Sequence, residues 1–364
     1  MTSRLPVIGR DALPPELPAG SRTYVKCLPT PWRTQTLGGD KCVEVLIRST
    51  EAVWSVLAGL NEVEHWAGGL PDADTLRVTR QIGRARRPRP AIAGLDMAQC
   101  HVMGIINATP DSFSDGGQAL AADAAEEQGL AMITAGASIL DIGGESTRPG
   151  SDPVSEDDEL GRVLPVIERL VGKGALISID TRKASVMAAA LDAGADVVND
   201  VSALTHDSGA LNLVAERGCP VVLMHALADS RTMQANPVYD HVSIDLYDYL
   251  EARIKASLAA GIKRERIIVD PGIGFGKTLA HNLALLRDLP LFHALGCPIL
   301  LGASRKRFIG TLSGEEVASC RTGGSVAAAL AGARAGAQFL RVHDVAETVQ
   351  ALSVWRAIDG MEKP

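Results

Sequence analysis

The distribution of apolar positions divides the chain into two unlike parts. From about residue 91 onward, short runs rich in Val, Ile and Leu alternate with longer segments whose apolar residues recur at helical spacing. The runs at 102–106, 138–142, 175–179, 196–199, 220–224, 266–269, 298–301 and 337–342 predict strands. The segments 121–135, 156–170, 183–193, 209–217, 242–260, 279–289, 321–335 and 345–358 predict a helix after each. A continuously apolar strand is what a parallel sheet covered on both faces requires. Such units repeated over about 270 residues predict a (β/α)8 TIM barrel of the α/β class. An open, doubly wound sheet is the competing arrangement.

Residues 1–87 lack this rhythm. Pro14, Pro15, Pro18 and Gly20 interrupt the start, and the predicted elements are one strand at 42–47 and one helix at 51–60. Arg80, Arg84, Arg86, Arg87 and Arg89, with Pro88 and Pro90, read as a solvated linker, because proline breaks any helix that would align the charges. The expected organisation is an N-terminal extension of unknown role, 1–87, and a catalytic domain, 88–364. The piece AIAGLDMAQC, 91–100, fits a small hairpin plugging the base of the barrel.

Composition narrows the function. A chain of 364 residues accommodates a large domain with an appendage, and 46% hydrophobic residues supply its core. The net charge of -7 argues against a general nucleic-acid binder, whose affinity comes from neutralising phosphates. Six scattered cysteines without C-x-x-C spacing read as reduced thiols. No apolar run approaches the roughly 18 residues of a membrane span, and no signal segment is legible, so a cytoplasmic location without a membrane partner is expected.

In barrel enzymes the site gathers where strands end, and polar residues gather there in this chain. They are Asn107, Asp141 with the run 143–148, Asp180, Asn199, His225, Asp270, then Ser304 with Lys306, and Arg341 with His343. An aspartate ending an apolar strand is partly desolvated and needs a partner. Helix capping or an ion pair would satisfy Asp141, Asp180 or Asp270 singly. Together with Asn199 and Lys306 they offer the donor and acceptor edges of a planar nitrogen heterocycle. Arg341 and His343 flank Val342 and so share a side of their strand; next to Asn107 they suit a diphosphate with a divalent ion. Pairing of Arg341 with a neighbouring carboxylate, and capping by His343, is the alternative. DPGIGFGK, 270–277, is not a phosphate loop, since Pro271 occupies the position of the required glycine. Its glycines let the backbone lie close to a ligand beneath Asp270, with Phe275 as a side wall, or simply form a tight turn.

The segments HVMGIINATPDSFSDGG, LDIGGESTRPGS, SIDTRK, VVND, VLMH, VDPGIGFGK, GASRKRFIG and RVHD together resemble the dihydropteroate synthase family, folate-pathway barrel enzymes inhibited by sulfonamides. The resemblance runs from about residue 91 to the C-terminus. It implies a transferase joining 6-hydroxymethyl-7,8-dihydropterin diphosphate to 4-aminobenzoate, with Mg2+ as cofactor, small molecules as partners and a homodimeric state. By the same resemblance Asp180, Asn199, Asp270 and Lys306 hold the pterin, Met224 packs on it and Arg341 stacks over it. Asn107 binds Mg2+, and His343 with Arg341 takes the diphosphate. Loops carrying Phe113, Asp115, Thr147, Arg148 and Pro149 close over the site and, with Phe275 and Lys306, form the aminobenzoate pocket. Its carboxylate meets the helix start after Ser304. Asp115 stabilises a pterin methyl cation. A pterin-binding methyltransferase module and a non-catalytic pterin-binding barrel are the alternatives. Two departures stand out: Ala226-Leu227-Ala228-Asp229 replaces the usual Met-x-Gly after His225, and Ala108 replaces a usual Val.

Overall fold

The first strands are built on stiff, β-branched residues. In the computed structural model, which describes residues 4–28, 42–108, 117–146, 153–227 and 236–359, β1 (Val7–Arg10), β2 (Arg22–Cys27), β3 (Cys42–Arg48) and β4 (Val53–Gly59) form a sheet of order β1-β4-β3-β2. β1 pairs with β4 in parallel and the other pairs are antiparallel. Helices α1 (Leu60–Gly68) and α2 (Asp72–Arg86) follow.

Two expectations are corrected here. The segment 51–60 is mostly strand, because β4 finds ladder partners on both sides and its Val53 and Val56 favour extended backbone over helical spacing. The basic tract is not a solvated linker. Arg80, Arg84 and Arg86 lie on α2, which ends before Pro88, and Arg89 donates to the carbonyls of Arg84, Arg87 and His293.

The sheet is apolar on both faces. Val25, Val43, Val45 and Ile47 pack with Val78 and Ile82 of α2, whereas Tyr24, Leu46 and Val53 join the core of the barrel. Buried Lys26 reaches Glu44 at 2.8 Å and Asp288 at 2.7 Å, a charge compensated from both units. The Tyr24 hydroxyl donates to Asp248 at 2.8 Å, and its ring meets Tyr247 edge-on at 5.5 Å.

The strands β5 (His101–Asn107), β6 (Ile139–Gly143), β7 (Leu176–Asp180), β8 (Val197–Asp200), β9 (Val221–Met224), β10 (Ile267–Asp270), β11 (Leu300–Leu301) and β12 (Phe339–Val342) make a parallel sheet of order β10-β9-β8-β7-β6-β5-β12-β11. A bridge between Val269 and Ile299 brings its edges together, closing a (β/α)8 barrel. Around it lie α3 (Gly117–Thr134), α4 (Glu156–Leu170), α5 (Ala184–Asp192), α6 (Ala210–Arg217), α7 (Val242–Ala259), α8 (Leu279–Arg287), α9 (Arg307–Ser313), α10 (Thr322–Arg334) and α11 (Val345–Ile358). A 3-10 helix, Leu289–Leu295, follows α8 and packs against β2 and α2. Among the described residues no helix is long and apolar enough to cross a membrane.

Strand alternation sorts the barrel interior by height. Met103, Ile139, Val197, Val222, Ile268, Leu300 and Phe339 form one apolar cluster, together with Ile92 and Met97 from the segment preceding β5. An antiparallel bridge between Ile92 and Leu95 shapes that segment, which seals the N-terminal end of the barrel as the small hairpin expected from 91–100. The cluster is the floor on which the site stands.

Candidate active site

Two residues further along four of the strands the inward positions turn polar. Asp141 follows Ile139 on β6, Ser178 follows Leu176 on β7, Asn199 follows Val197 on β8 and Asp270 follows Ile268 on β10. Asp141 is fully buried and lies within β6 rather than beyond its end. Its carboxylate accepts from Ser178 Oγ at 2.6 Å, Asn199 Nδ2 at 3.0 Å and Arg341 Nε at 2.5 Å. Arg341 also donates from Nη2 to Asp180 Oδ2 at 2.6 Å. Arg341 therefore ties β12 to β6 and β7 across the barrel mouth, which is the carboxylate pairing left open by the sequence.

Burial sets the electrostatics. It raises the Asp180 carboxyl to about 7, a cost that nearby Arg341 reduces and Asp141 increases. Burial also raises Asp270, opposed by Lys306 and by the Gly272 N–H that donates to Asp270 at 2.7 Å. Burial lowers Lys306 to about 8, against the pull of Asp270. For Arg341 burial acts downward, but Asp141 and Asp180 outweigh it and hold the guanidinium above its usual value. The site thus sets one guanidinium among carboxylates and a lysine whose charged forms burial disfavours.

The remaining candidates fall into place around this core. Lys306 donates to the Ile273 carbonyl and stands 4.7 Å from the centre of the Phe275 ring. Met224 is buried at the C-terminal end of β9, level with Asp270 of β10. Ser304 is buried, its hydroxyl 3.0 Å from His343 Nδ1, and it accepts from the His343 N–H at 3.2 Å, so these two residues act as a pair. Asn107 closes β5 beside Gly143 of β6. Phe113, Asp115, Thr147, Arg148 and Pro149 lie outside the described residues.

The glycines of 270–277 are there for close approach. A Cβ on Gly272 would sit 2.0 Å from the His225 carbonyl oxygen, and its φ is +67°. Only glycine lets this turn lie against β9 while presenting its N–H to Asp270. Lys277 is buried at the same turn, 3.1 Å from His225 Nδ1 and 2.8 Å from the Phe275 carbonyl. Burial and neighbouring Lys306 lower its pKa well below normal, and burial with Lys277 does the same to His225.

Ser178, and the ion pairs made by Glu145 and Arg305, escaped the sequence reading. Ser178 was legible in principle, since in Leu-Ile-Ser-Ile-Asp it shares the parity of Asp180. Glu145 bridges Arg182 and Lys183 at 3.0 Å each, and Lys183 reaches buried Glu159 at 2.5 Å. Burial acts to raise Glu145, but its two cationic partners hold it below the usual range. Asp344 grips Arg305, whose φ of 57° is rare outside glycine. These pairs join distant segments, and no local pattern announces them.

An inward ring of carboxylates, an amide and a lysine over an apolar floor defines a barrel that binds a flat, polar heterocycle. The sequence profile described as pterin binding enzyme matches residues 103–343, and the chain belongs to that family. Its relatives narrow the class. The dihydropteroate synthase of Neisseria meningitidis serogroup B is 50% identical over 274 residues, covering 73% of this chain and 94% of that protein. A structure of the Xanthomonas albilineans dihydropteroate synthase with 4-aminobenzoic acid superposes with a TM-score of 0.71 at 50% identity, covering 76% of this chain and 99% of that one. A second structure of that enzyme, in complex with 7,8-dihydropteroate, gives a TM-score of 0.68 at 48% identity over 76% of this chain and all of that one.

Proposed function

We infer that this chain is a transferase of folate synthesis that condenses 6-hydroxymethyl-7,8-dihydropterin diphosphate with 4-aminobenzoate, giving 7,8-dihydropteroate and diphosphate. The observation that carries the reading is the convergence of Asp141, Asp180, Asn199, Asp270 and Lys306 around Arg341 at the C-terminal end of the barrel strands. In the reaction the bond between the pterin methylene carbon and the diphosphate oxygen breaks. The amine nitrogen of 4-aminobenzoate then bonds to that carbon and loses a proton. Asp180, Asn199, Asp270 and Lys306 hold the pterin, each offering an acceptor or donor to its heterocyclic edge, with Met224 beneath it. Asp141 orients Asn199 and Arg341 rather than meeting the ligand first, since its oxygens are already engaged. Arg341 leaves Asp180 to cover the pterin face and, with His343 oriented by Ser304, receives the leaving diphosphate. Phe275 and the loops bearing Phe113, Thr147, Arg148 and Pro149 enclose the aminobenzoate, and Asp115 offsets positive charge developing on the methylene carbon.

The residues at the mouth fit a magnesium ion carried chiefly by its substrate. Among the described residues no group of three or more His, Cys, Asp or Glu is placed to hold a metal ion by itself, whereas Mg2+ commonly takes one or two protein oxygens together with phosphate oxygens and water. Asn107 would hold the ion, which supplies charge neutralisation of the diphosphate.

We further propose that residues 1–87 are an N-terminal extension and 88–364 the catalytic unit, in a cytoplasmic homodimer. Exposed Leu312, Val317, Val354 and Ile358, on or near α9, α10 and α11, support the dimer as apolar surface in need of cover. The deciding assay mixes the chain with the pterin diphosphate, 4-aminobenzoate and Mg2+. Formation of dihydropteroate is expected, and its absence at every metal concentration would overturn the reading.

A further inference from the structure

The basic helix α2 does more than anchor the N-terminal sheet. Between it and the C-terminal half of α7, a cavity of about 280 Å³ opens between the two units. Arg77, Arg80 and Arg84 line it from α2, Lys255 from α7 and Arg264 from the turn before β10; its one carboxylate is Glu251. That carboxylate is heavily subscribed. Arg22 takes it at 2.5 Å, Lys255 at 3.5 Å and Arg77 at 3.9 Å. Among the described residues Arg80 and Arg84 form no salt bridge, and Arg264 spends Nη1 on the Leu295 carbonyl at 2.7 Å.

Arg84 is held in this position. Its stem lies on the turn at Gly296, where an added Cβ would come within 3.1 Å of the Arg84 Cγ and Cδ atoms. Burial, then the charge of Arg264, pulls its pKa below the normal value for arginine. A cation fixed by packing, crowded by like charge and lacking a partner is an arrangement that an anion would relieve. Leu76, Ile254 and Leu295 give the cavity an apolar wall beside the charges.

We propose that this cavity is a second ligand site, distinct from the barrel mouth, that binds a small phosphate-bearing anion between the N-terminal unit and the barrel. Charge-assisted hydrogen bonds from Arg80 and Arg84 supply the recognition, and the multiple charge of a phosphate chain matches a site with this excess of cations. Free polyphosphate and a nucleoside phosphate share that chemistry. The apolar wall has a use only for the second.

The test is calorimetric titration of the full chain with sodium tripolyphosphate and, separately, with ATP, paired with thermal melting. Saturable binding by at least one probe is expected, with a rise in melting temperature because the ligand bridges two units. Arg84→Gln should weaken binding at least about tenfold, the scale of one lost hydrogen bond between charged partners. Arg80→Gln, at an exposed position on α2, should weaken it in the same direction and leave turnover of the pterin substrate unchanged. Tighter binding of ATP than of tripolyphosphate identifies a nucleoside phosphate, and equal affinity identifies the phosphate chain alone. The proposal is overturned if neither probe binds, if binding is indifferent to both substitutions, or if it is lost only on His343→Ala, which reports the barrel mouth.

Discussion

Arg341 holds two aspartates at once, its Nε 2.5 Å from Asp141 and its Nη2 2.6 Å from Asp180. Asp141 has no exposed surface, so the guanidinium compensates a charge that water does not reach. Arg341→Met should lower the unfolding free energy by about 3–5 kcal/mol, the cost of leaving buried carboxylates without their partner. Arg341→Lys should recover only part of the loss, because an ammonium does not present two fixed donors. Urea denaturation at neutral pH measures both.

Asp180 links stability to pH. Burial raises its folded pKa to about 7, above the ordinary carboxylate value, so between about pH 4 and 7 the folded state binds a proton that the unfolded chain has released. Its contribution to stability is fully present below about pH 4 and is lost as pH rises through 7. Asp180→Asn removes this dependence. The stability of the variant relative to the parent should therefore increase from pH 5 to pH 8, and a difference that stays flat or decreases would contradict the assignment.

Gly272 can be probed by a single methyl group. Gly272→Ala places a Cβ against the His225 carbonyl at a φ of +67°, so the turn must move and take with it the N–H that Asp270 accepts. Affinity for the pterin substrate should fall about tenfold or more, the scale of one charge-assisted hydrogen bond. Competition with a fluorescent pterin analogue gives the number.

The role proposed for Asp115 places it in the chemical step rather than in ground-state binding. Asp115→Asn should cut turnover by about 10 to 1000-fold, as expected for a lost electrostatic contact to the transition state, with pterin affinity nearly unchanged. A variant whose affinity drops in step with its turnover would argue for a binding role instead.

Tyr24 measures the junction between the two units. Tyr24→Ala removes a fully buried ring packed on Tyr247 and should destabilise the chain by about 3–5 kcal/mol. At temperatures where the variant stays folded, turnover should be preserved, since Tyr24 lies on the outside of α7. A melting curve and a steady-state assay on the same sample separate these effects.

The barrel was readable because each strand is a closed apolar run ending in polar residues, a local signal repeated with every unit. What the sequence withheld was partnership. Arg341 meets Asp141 across 200 residues, and Lys26 meets Asp288 across 262. The strand at 53–59 was missed for the same reason: its apolar residues are compatible with a helix until β1 and β3 are placed beside it. The arginines of 80–86 were misread because Pro88 and Pro90 mark where the helix stops, not whether it forms.

The hydrophobic plug made by Ile92 and Met97 beneath the polar ring turns the barrel into a vessel with one door. Whatever sits deepest must arrive first, and nothing leaves from below. In the proposed arrangement, a pterin held by Asp180 and Asp270 is in place before aminobenzoate covers it, and after the bond forms it departs behind the aminobenzoyl end. With the pterin at the proposed depth, the order of addition is thus set by a floor that takes no part in the chemistry.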